Sequence, residues 1–289
     1  MGKALAGSAN GKYEILATFT GDYNIQDTQQ IRYVKLDIRD VGGYLRLFKD
    51  FKPEVTIHTA GVNSPDYTQR NSNEALEINV GGTQNILKVC EEYGSKFIYI
   101  SSNAVYAGDR APYREGDTPG PVNNYGRLKL EGELIAAKAK VPWSIVRPIL
   151  MYGWNYYFER PNVVTIGISK LRKKEKFFVY DDVYYNPLYY CSCAQAIWAI
   201  IEKGKFEVFN IGGKDRLSIC ELMKEAAKVF GLDESLLVPV QQGFFKELVK
   251  RPGDTSYDTT KMESVLGLKP LKIQEGLELM RGEEDKVHA

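Results

Sequence analysis

Two neighbouring stretches decide the reading: KFIYISSNAVY at residues 96–106 and NNYGRLKLEGE at residues 123–133. Lys96 to Ile100 is a short apolar run that reads as a β-strand ending in Ser101-Ser102. Tyr125 to Lys138 is rich in Lys, Leu, Glu and Ala and reads as a helix. Four residues separate Tyr125 from Lys129, which puts both side chains on one helix face, one turn apart. A free phenol titrates near ~10 and is a poor acid or base at neutral pH, so a lysine beside it is chemically meaningful. Ser102 ends a strand, where open α/β sheets place their ligand crevice. A Tyr-x-x-x-Lys spacing by itself recurs on solvated helix faces. Coupled to a Ser-Ser pair at a strand end, it becomes a specific signal.

Working outward, short apolar runs alternate with helical patterns. Strands are expected at Tyr13–Thr20, Arg32–Leu36, Glu54–His58, Lys96–Ile100 and Trp143–Val146. Helices are expected at Tyr44–Phe51, Glu74–Tyr93 (closed by Gly94) and Tyr125–Lys138. Such alternation implies a parallel sheet covered on both faces. Beyond residue 149 the pattern is less regular. Helices are expected at Val163–Lys174, Cys193–Glu202, Ser218–Phe230, Thr260–Leu266 and Ile273–Met280, and strands at Lys176–Tyr180 and Glu207–Ile211. Ser218 and Glu221 have the spacing of a capping box, and Gly231 ends that helix. The expected domains are a dinucleotide-type domain over 1–148 and a smaller α/β substrate-binding region over 149–289. Residues 182–212 are expected to return to the first sheet.

Composition narrows the function classes. The 289 residues are 44% hydrophobic and 26% charged, as in ordinary globular chains. Lys and Arg total 38 against 37 Asp and Glu, a net charge of +1, so no global basic field favours nucleic acid. No apolar run is long enough to span a membrane, and the N-terminus MGKALAGSANGKYE lacks the apolar stretch of a secretion signal. Four cysteines make no disulfide scaffold and are read as packing residues in a reducing cytoplasm. With only His58 and His288, histidine-based catalysis or metal binding has little to work with, and His58 is read as packed. Tyrosine-rich clusters at Tyr152–Phe158 and Tyr180–Tyr190 suit either loop or dimer packing or a wall for a ring-bearing ligand.

The chain resembles the extended short-chain dehydrogenase/reductases, and among them the dTDP-4-dehydrorhamnose reductases and their sugar-nucleotide relatives. The likeness rests on Ser101-Ser102 with Val105-Tyr106, Tyr113-Arg114-Glu115 and Asp117-Thr118-Pro119. It continues through Asn124-Tyr125-Gly126, Lys129-Leu130, Gly132-Glu133, Arg147-Pro148, Tyr152-Gly153-Trp154-Asn155, Asn186-Pro187 and Arg251-Pro252. The resemblance implies a Rossmann-like doubly wound parallel sheet. It implies catalysis by Tyr125 as general acid, Lys129 lowering its pKa and binding the nicotinamide ribose, and Ser102 orienting the substrate oxygen. For the cofactor it implies Asp37, Ile38, Thr59, Ala60, Gly61, Asn79, Ser101, Pro148 and Ile149. For the substrate it implies Asn103, Trp154, Asn155, Asn186 and Arg251, the last as the diphosphate ligand because a guanidinium forks onto phosphate oxygens. Arg147 is read as a structural ion pair. The implied reaction is reduction of a nucleotide-diphosphate 4-keto-6-deoxy sugar with NADPH, or with NADH. The partner is then a nucleotide-sugar, with no nucleic acid, no membrane and a homodimer as in relatives. Alternatives are an NAD-dependent epimerase or dehydratase, or a non-catalytic regulatory subunit such as that of methionine adenosyltransferase.

One part of the family pattern is not found. No glycine-rich turn with the family's spacing precedes the Tyr13–Thr20 strand, and Gly7-Ser8-Ala9-Asn10-Gly11 leaves no room for a helix before it. Aligning Gly2 with the third family glycine makes Lys3-Ala4-Leu5-Ala6 the start of the first helix. On that reading the first strand and most of the phosphate loop are missing, and the neighbouring strands either lose a ladder partner or close the gap.

Overall fold

The computed structural model describes residues 2–9, 11–23, 25–155, 160–246 and 249–285. It begins with helix α1 (Gly2–Ser8), strands β1 (Ile15–Phe19) and β2 (Ile31–Lys35), helix α2 (Val41–Phe51), strand β3 (Val55–His58) and helix α3 (Pro65–Arg70). A long helical run follows as α4 (Ser72–Leu76), a π-helical turn at Glu77–Gly81, and α5 (Gly82–Tyr93). Then come β4 (Lys96–Ile100), α6 (Asn124–Ala136), β5 (Trp143–Pro148), β6 (Met151–Tyr152), α7 (Val163–Arg172) and β7 (Phe177–Tyr180). The chain continues through β8 (Tyr184–Tyr185), β9 (Leu188–Tyr189), α8 (Tyr190–Lys203), β10 (Val208–Ile211) and β11 (Leu217–Ser218). It ends with α9 (Ile219–Phe230), β12 (Leu237–Val240) and α10 (Ile273–Gly282).

The central sheet is parallel, in the order β10-β5-β4-β3. Four of the five β4 residues are buried, the pattern of a strand covered on both faces by helices. Of residues 182–212, expected to return to this sheet, Val208–Ile211 do so as β10 beside β5, while β8 and β9 pair with β11 and β6 instead. A second core joins α7, α9, α10, β7 and β12 through Val164, Ile168, Met223, Leu237 and Leu277. The capping box at Ser218 and Glu221 is present, with the Ser218 hydroxyl accepting from the Glu221 N–H at 3.1 Å.

Strands β1 and β2 pair only with each other, and among the described residues no ladder joins them to the four-stranded sheet. β1 and β3 are therefore not ladder partners. No residue of β1 or β2 is buried, and Thr59, Ala60 and Gly61, just past β3, are exposed. Helix α1 begins at Gly2 and packs on α8, where the Trp198 indole donates to the Ser8 hydroxyl at 2.9 Å and stacks on Tyr13 at 4.6 Å. The helix expected at Glu74–Tyr93 starts earlier and is interrupted by the π turn. That turn rotates Asn79 onto the loop after β3, where its side chain bonds both the N–H and the carbonyl of Val62.

A two-stranded sheet with no buried face is marginal by itself. Hydrogen exchange followed by mass spectrometry should show amides of β1 and β2 exchanging through local opening, while those of β4 and β5 exchange only on global unfolding. Equal protection of the two groups would contradict this division.

Candidate active site

Gly126 and Gly132 allow α6 to lie against β4 and the turn that follows it. A Cβ on Gly126 would fall 2.1 Å from the Ala104 carbonyl oxygen, and one on Gly132 2.1 Å from the Tyr99 hydroxyl. This contact brings Tyr125, in the first turn of α6, to Ser102 at the end of β4. The Ser102 hydroxyl acts on the Tyr125 phenol and draws its pKa down. Ser102 Oγ accepts from the Ala104 N–H at 3.2 Å and donates to Asn103 Oδ1 at 3.3 Å.

Burial pushes the Tyr125 phenol above its ordinary value, more than the Ser102 hydrogen bond and the Arg160 charge pull it down. Tyr125 is thus held protonated. The expected lowering of its pKa by Lys129 gives way to this arrangement, for a geometric reason. The Lys129 ammonium is turned inward, donates to the Ile100 carbonyl at 2.9 Å and sits 5.3 Å above the Tyr99 ring. Burial lowers the Lys129 pKa to about 8, against the opposing charge of Glu133.

Beneath the hydroxyl pair lies a buried ion pair. Arg147 on β5 grips both carboxylate oxygens of Glu133 on α6, at 2.8 and 2.6 Å, and donates to the Tyr106 hydroxyl at 2.6 Å. The Ser101 hydroxyl donates to the same carboxylate at 2.5 Å. Ser101, expected to face the cofactor, therefore points into the protein. The network continues from Tyr106 to Asn210, whose N–H donates to Glu115 at 3.0 Å.

The residues expected around the cofactor fall into two groups. Thr59, Ala60 and Gly61 form an open, small-residue ledge after β3. Asp37 is committed to Arg39, which forks onto it at 2.9 and 2.7 Å and holds its carboxyl below the usual range. Ile38 is buried against Gly82, and Ile149 is buried in the central core beside Pro148. Asn79 is buried and fully engaged with Val62, so it shapes the ledge from below. His58 is buried on Thr83 at 3.0 Å. The Thr83 hydroxyl donates to the Asn79 carbonyl, so His58 Nε2 carries the proton. Burial, helped by the Lys129 charge, lowers the His58 pKa to about 3.

The expected substrate contacts fare differently. Asn103 stays beside Ser102 and ties it to Thr255 at 2.7 Å. Trp154 is buried in the second core and donates to the Met280 carbonyl at 2.6 Å, so it leaves the site. Asn155 is spent within its own loop, on Asn162, Thr165 and the Arg160 carbonyl. Asn186 is buried and accepts from the Tyr257 N–H at 2.5 Å. Arg251 is paired with Asp66 at 2.6 Å. Tyr156, Tyr157 and Phe158 of the first aromatic cluster, and His288, lie outside the described residues. Sequence reasoning missed Arg160 and Asp66 at the site. A Ser-Pro-Asp helix start at Ser64–Asp66 was the available signal for the second.

Removing one partner of a buried ion pair strands the other charge. Glu133→Ala should lower unfolding free energy by about 3–5 kcal/mol in a denaturant titration, and Glu133→Gln by less. Acid stability should follow His58. Its unfolded-state pKa of 6.5 exceeds its folded value of about 3, so stability falls as pH drops through that window. His58→Gln should flatten this part of the curve relative to the parent chain.

Comparison with known proteins agrees with this architecture. Methionine adenosyltransferase 2 subunit beta of Bos taurus is 27% identical over 240 residues, covering 81% of this chain and 71% of that protein. The dTDP-4-dehydrorhamnose reductase of Aggregatibacter actinomycetemcomitans is 25% identical over 284 residues, covering 94% and 91%. Among solved structures, the Bacillus anthracis dTDP-4-dehydrorhamnose reductase in complex with NADP superposes with a TM-score of 0.83 at 24% identity, covering 94% of this chain and 99% of that one. The last likeness speaks to the fold. Residues 1–285 match the family described as RmlD substrate binding domain, and the chain belongs to that family.

Proposed function

We propose that this chain is an NAD(P)H-dependent reductase of a nucleotide-diphosphate 4-keto-6-deoxy sugar. The observation that carries the reading is the Ser102 hydroxyl acting on the Tyr125 phenol just past β4, with Lys129 buried on the Ile100 carbonyl. Tyr125 held protonated is suited to give a proton to a carbonyl oxygen. Ser102, restrained by Ala104 and Asn103, orients that oxygen toward the phenol.

A nicotinamide cofactor fits the ledge after β3. Gly61 has φ +151°, and a Cβ there would lie 3.1 Å from Asn79 Oδ1 and 3.9 Å from Lys129 Nζ, so only a bare backbone leaves room. Thr59, Ala60, Gly61 and Lys129 would hold its nicotinamide end. When bound, it supplies a hydride to the carbonyl carbon. Tyr125 delivers the balancing proton to the oxygen. Neighbouring structures with NADP and with NAD bound both support a nicotinamide cofactor, and NADPH is the first to assay.

The second reading is a non-catalytic subunit on the same fold. It is favoured by the likeness to methionine adenosyltransferase 2 subunit beta and by the separate β1–β2 pair.

Oxidation of NADPH by 4-keto-6-deoxy sugar nucleotides, followed by loss of reduced-nicotinamide absorbance, separates the two. Tyr125→Phe should lower kcat by about 10²–10⁴-fold with little change in KM. A parent chain that gains no thermal stability from NADPH or NADH and turns over no such sugar would instead support the subunit reading.

A further inference from the structure

The residue expected to grip a diphosphate is already gripping a carboxylate. Arg251 donates to Asp66 Oδ2 at 2.6 Å and to the Val249 carbonyl at 2.8 Å. Asp66 Oδ1 accepts the Val249 N–H at 2.9 Å, so the carboxylate is bound on both oxygens. The side chains of the pair are only 20% and 13% exposed. Burial pushes the Asp66 carboxyl up, but hydrogen bonds from Arg251 and Val249, with the charges of Arg251 and Arg160, together hold it below its ordinary value.

The segments that carry the pair are tied to the helix start that carries Tyr125. Asp66 lies on α3 and Arg251 on the segment after β12, and both segments are tied to the start of α6. Asn124 donates to the Thr68 carbonyl at 2.7 Å, and Asn123 donates to the Lys250 carbonyl at 3.1 Å. Tyr125 is the next residue. Arg160 acts electrostatically on both Asp66 and Tyr125.

We propose that Asp66 is an internal competitor for Arg251, holding the guanidinium in the place a diphosphate takes when a nucleotide ligand binds. This rests on the reading that the cleft takes a nucleotide diphosphate. The chemistry is exchange of one anion for another, since carboxylate and phosphate both fit the guanidinium fork. Asp66 thereby sets the affinity of the site. A ligand must bring enough anionic charge to displace it, so diphosphates are selected over neutral sugars. The displaced carboxylate keeps the Val249 N–H as a partner, and the segment before Arg251 stays anchored.

The test titrates dTDP into the full chain by calorimetry, for the parent, Asp66→Asn, Arg251→Met and the double variant. Asn keeps an acceptor for the Val249 N–H, and circular dichroism checks that each variant folds. Asp66→Asn should tighten dTDP binding by about tenfold, Arg251→Met should weaken it, and the double variant should show no gain over Arg251→Met. The proposal is overturned if Asp66→Asn binds dTDP no more tightly than the parent, or if its gain survives in the double variant. Absence of dTDP binding in both the parent and Asp66→Asn overturns it as well. Failure of the reductase reading looks different: no sugar is reduced, yet the Asp66→Asn gain remains.

Discussion

The Glu133–Arg147 ion pair is the constraint on which the site depends. It joins the helix that carries Tyr125 and Lys129 to the strand beside the one that ends in Ser102, and Ser101 donates to the same carboxylate. Burial works against the charge on Arg147, and the hydrogen bonds and charge of Glu133 outweigh it, so the guanidinium stays ionised. Such a pair stabilises little compared with apolar packing, but it is intolerant of losing one partner. Its value here is geometric. Ser101 and Ser102 are neighbours in sequence, and fastening the first fixes where the second can point.

The same pair reaches the far side of the sheet. Arg147 bonds Tyr106, Tyr106 bonds Asn210, and Asn210 bonds Glu115, so β5, β10 and the segment around residues 106–115 form one polar layer. Each polar group in it has a partner, which is what allows charge so deep in a core. By contrast, Asp66, Arg160 and Arg251 are charges on separate segments, and the Asp66–Arg251 pair keeps some contact with solvent.

The sheet illustrates a second contrast. β4 and β5 are buried from both sides, while the residues of β1 and β2 are at most half-buried. A parallel sheet is stabilised by its helical cover and by its neighbours, and among the described residues no ladder joins the β1–β2 pair to the four-stranded sheet.

Much of this was legible in the chain. Alternating apolar runs located the strands, because a buried parallel strand needs an uninterrupted apolar segment. The Ser102, Tyr125 and Lys129 spacing picked out the candidate site, because helix geometry makes a four-residue interval a shared face. What the sequence could not decide was where long polar side chains spend their bonds. Trp154, Asn155 and Asn186 read as substrate contacts, yet each is consumed by a backbone or side-chain partner that lies near it only in the fold. Lys129 shares a face with Tyr125 but bonds the Ile100 carbonyl, 29 residues away in sequence. Asp66 meets Arg251 across 185 residues. Sequence thus determined most of the longer helices and strands and which residues share a helix face, since those follow from local periodicity. Tertiary structure alone decided the charge state and partners of each group, since burial and long-range pairing set both.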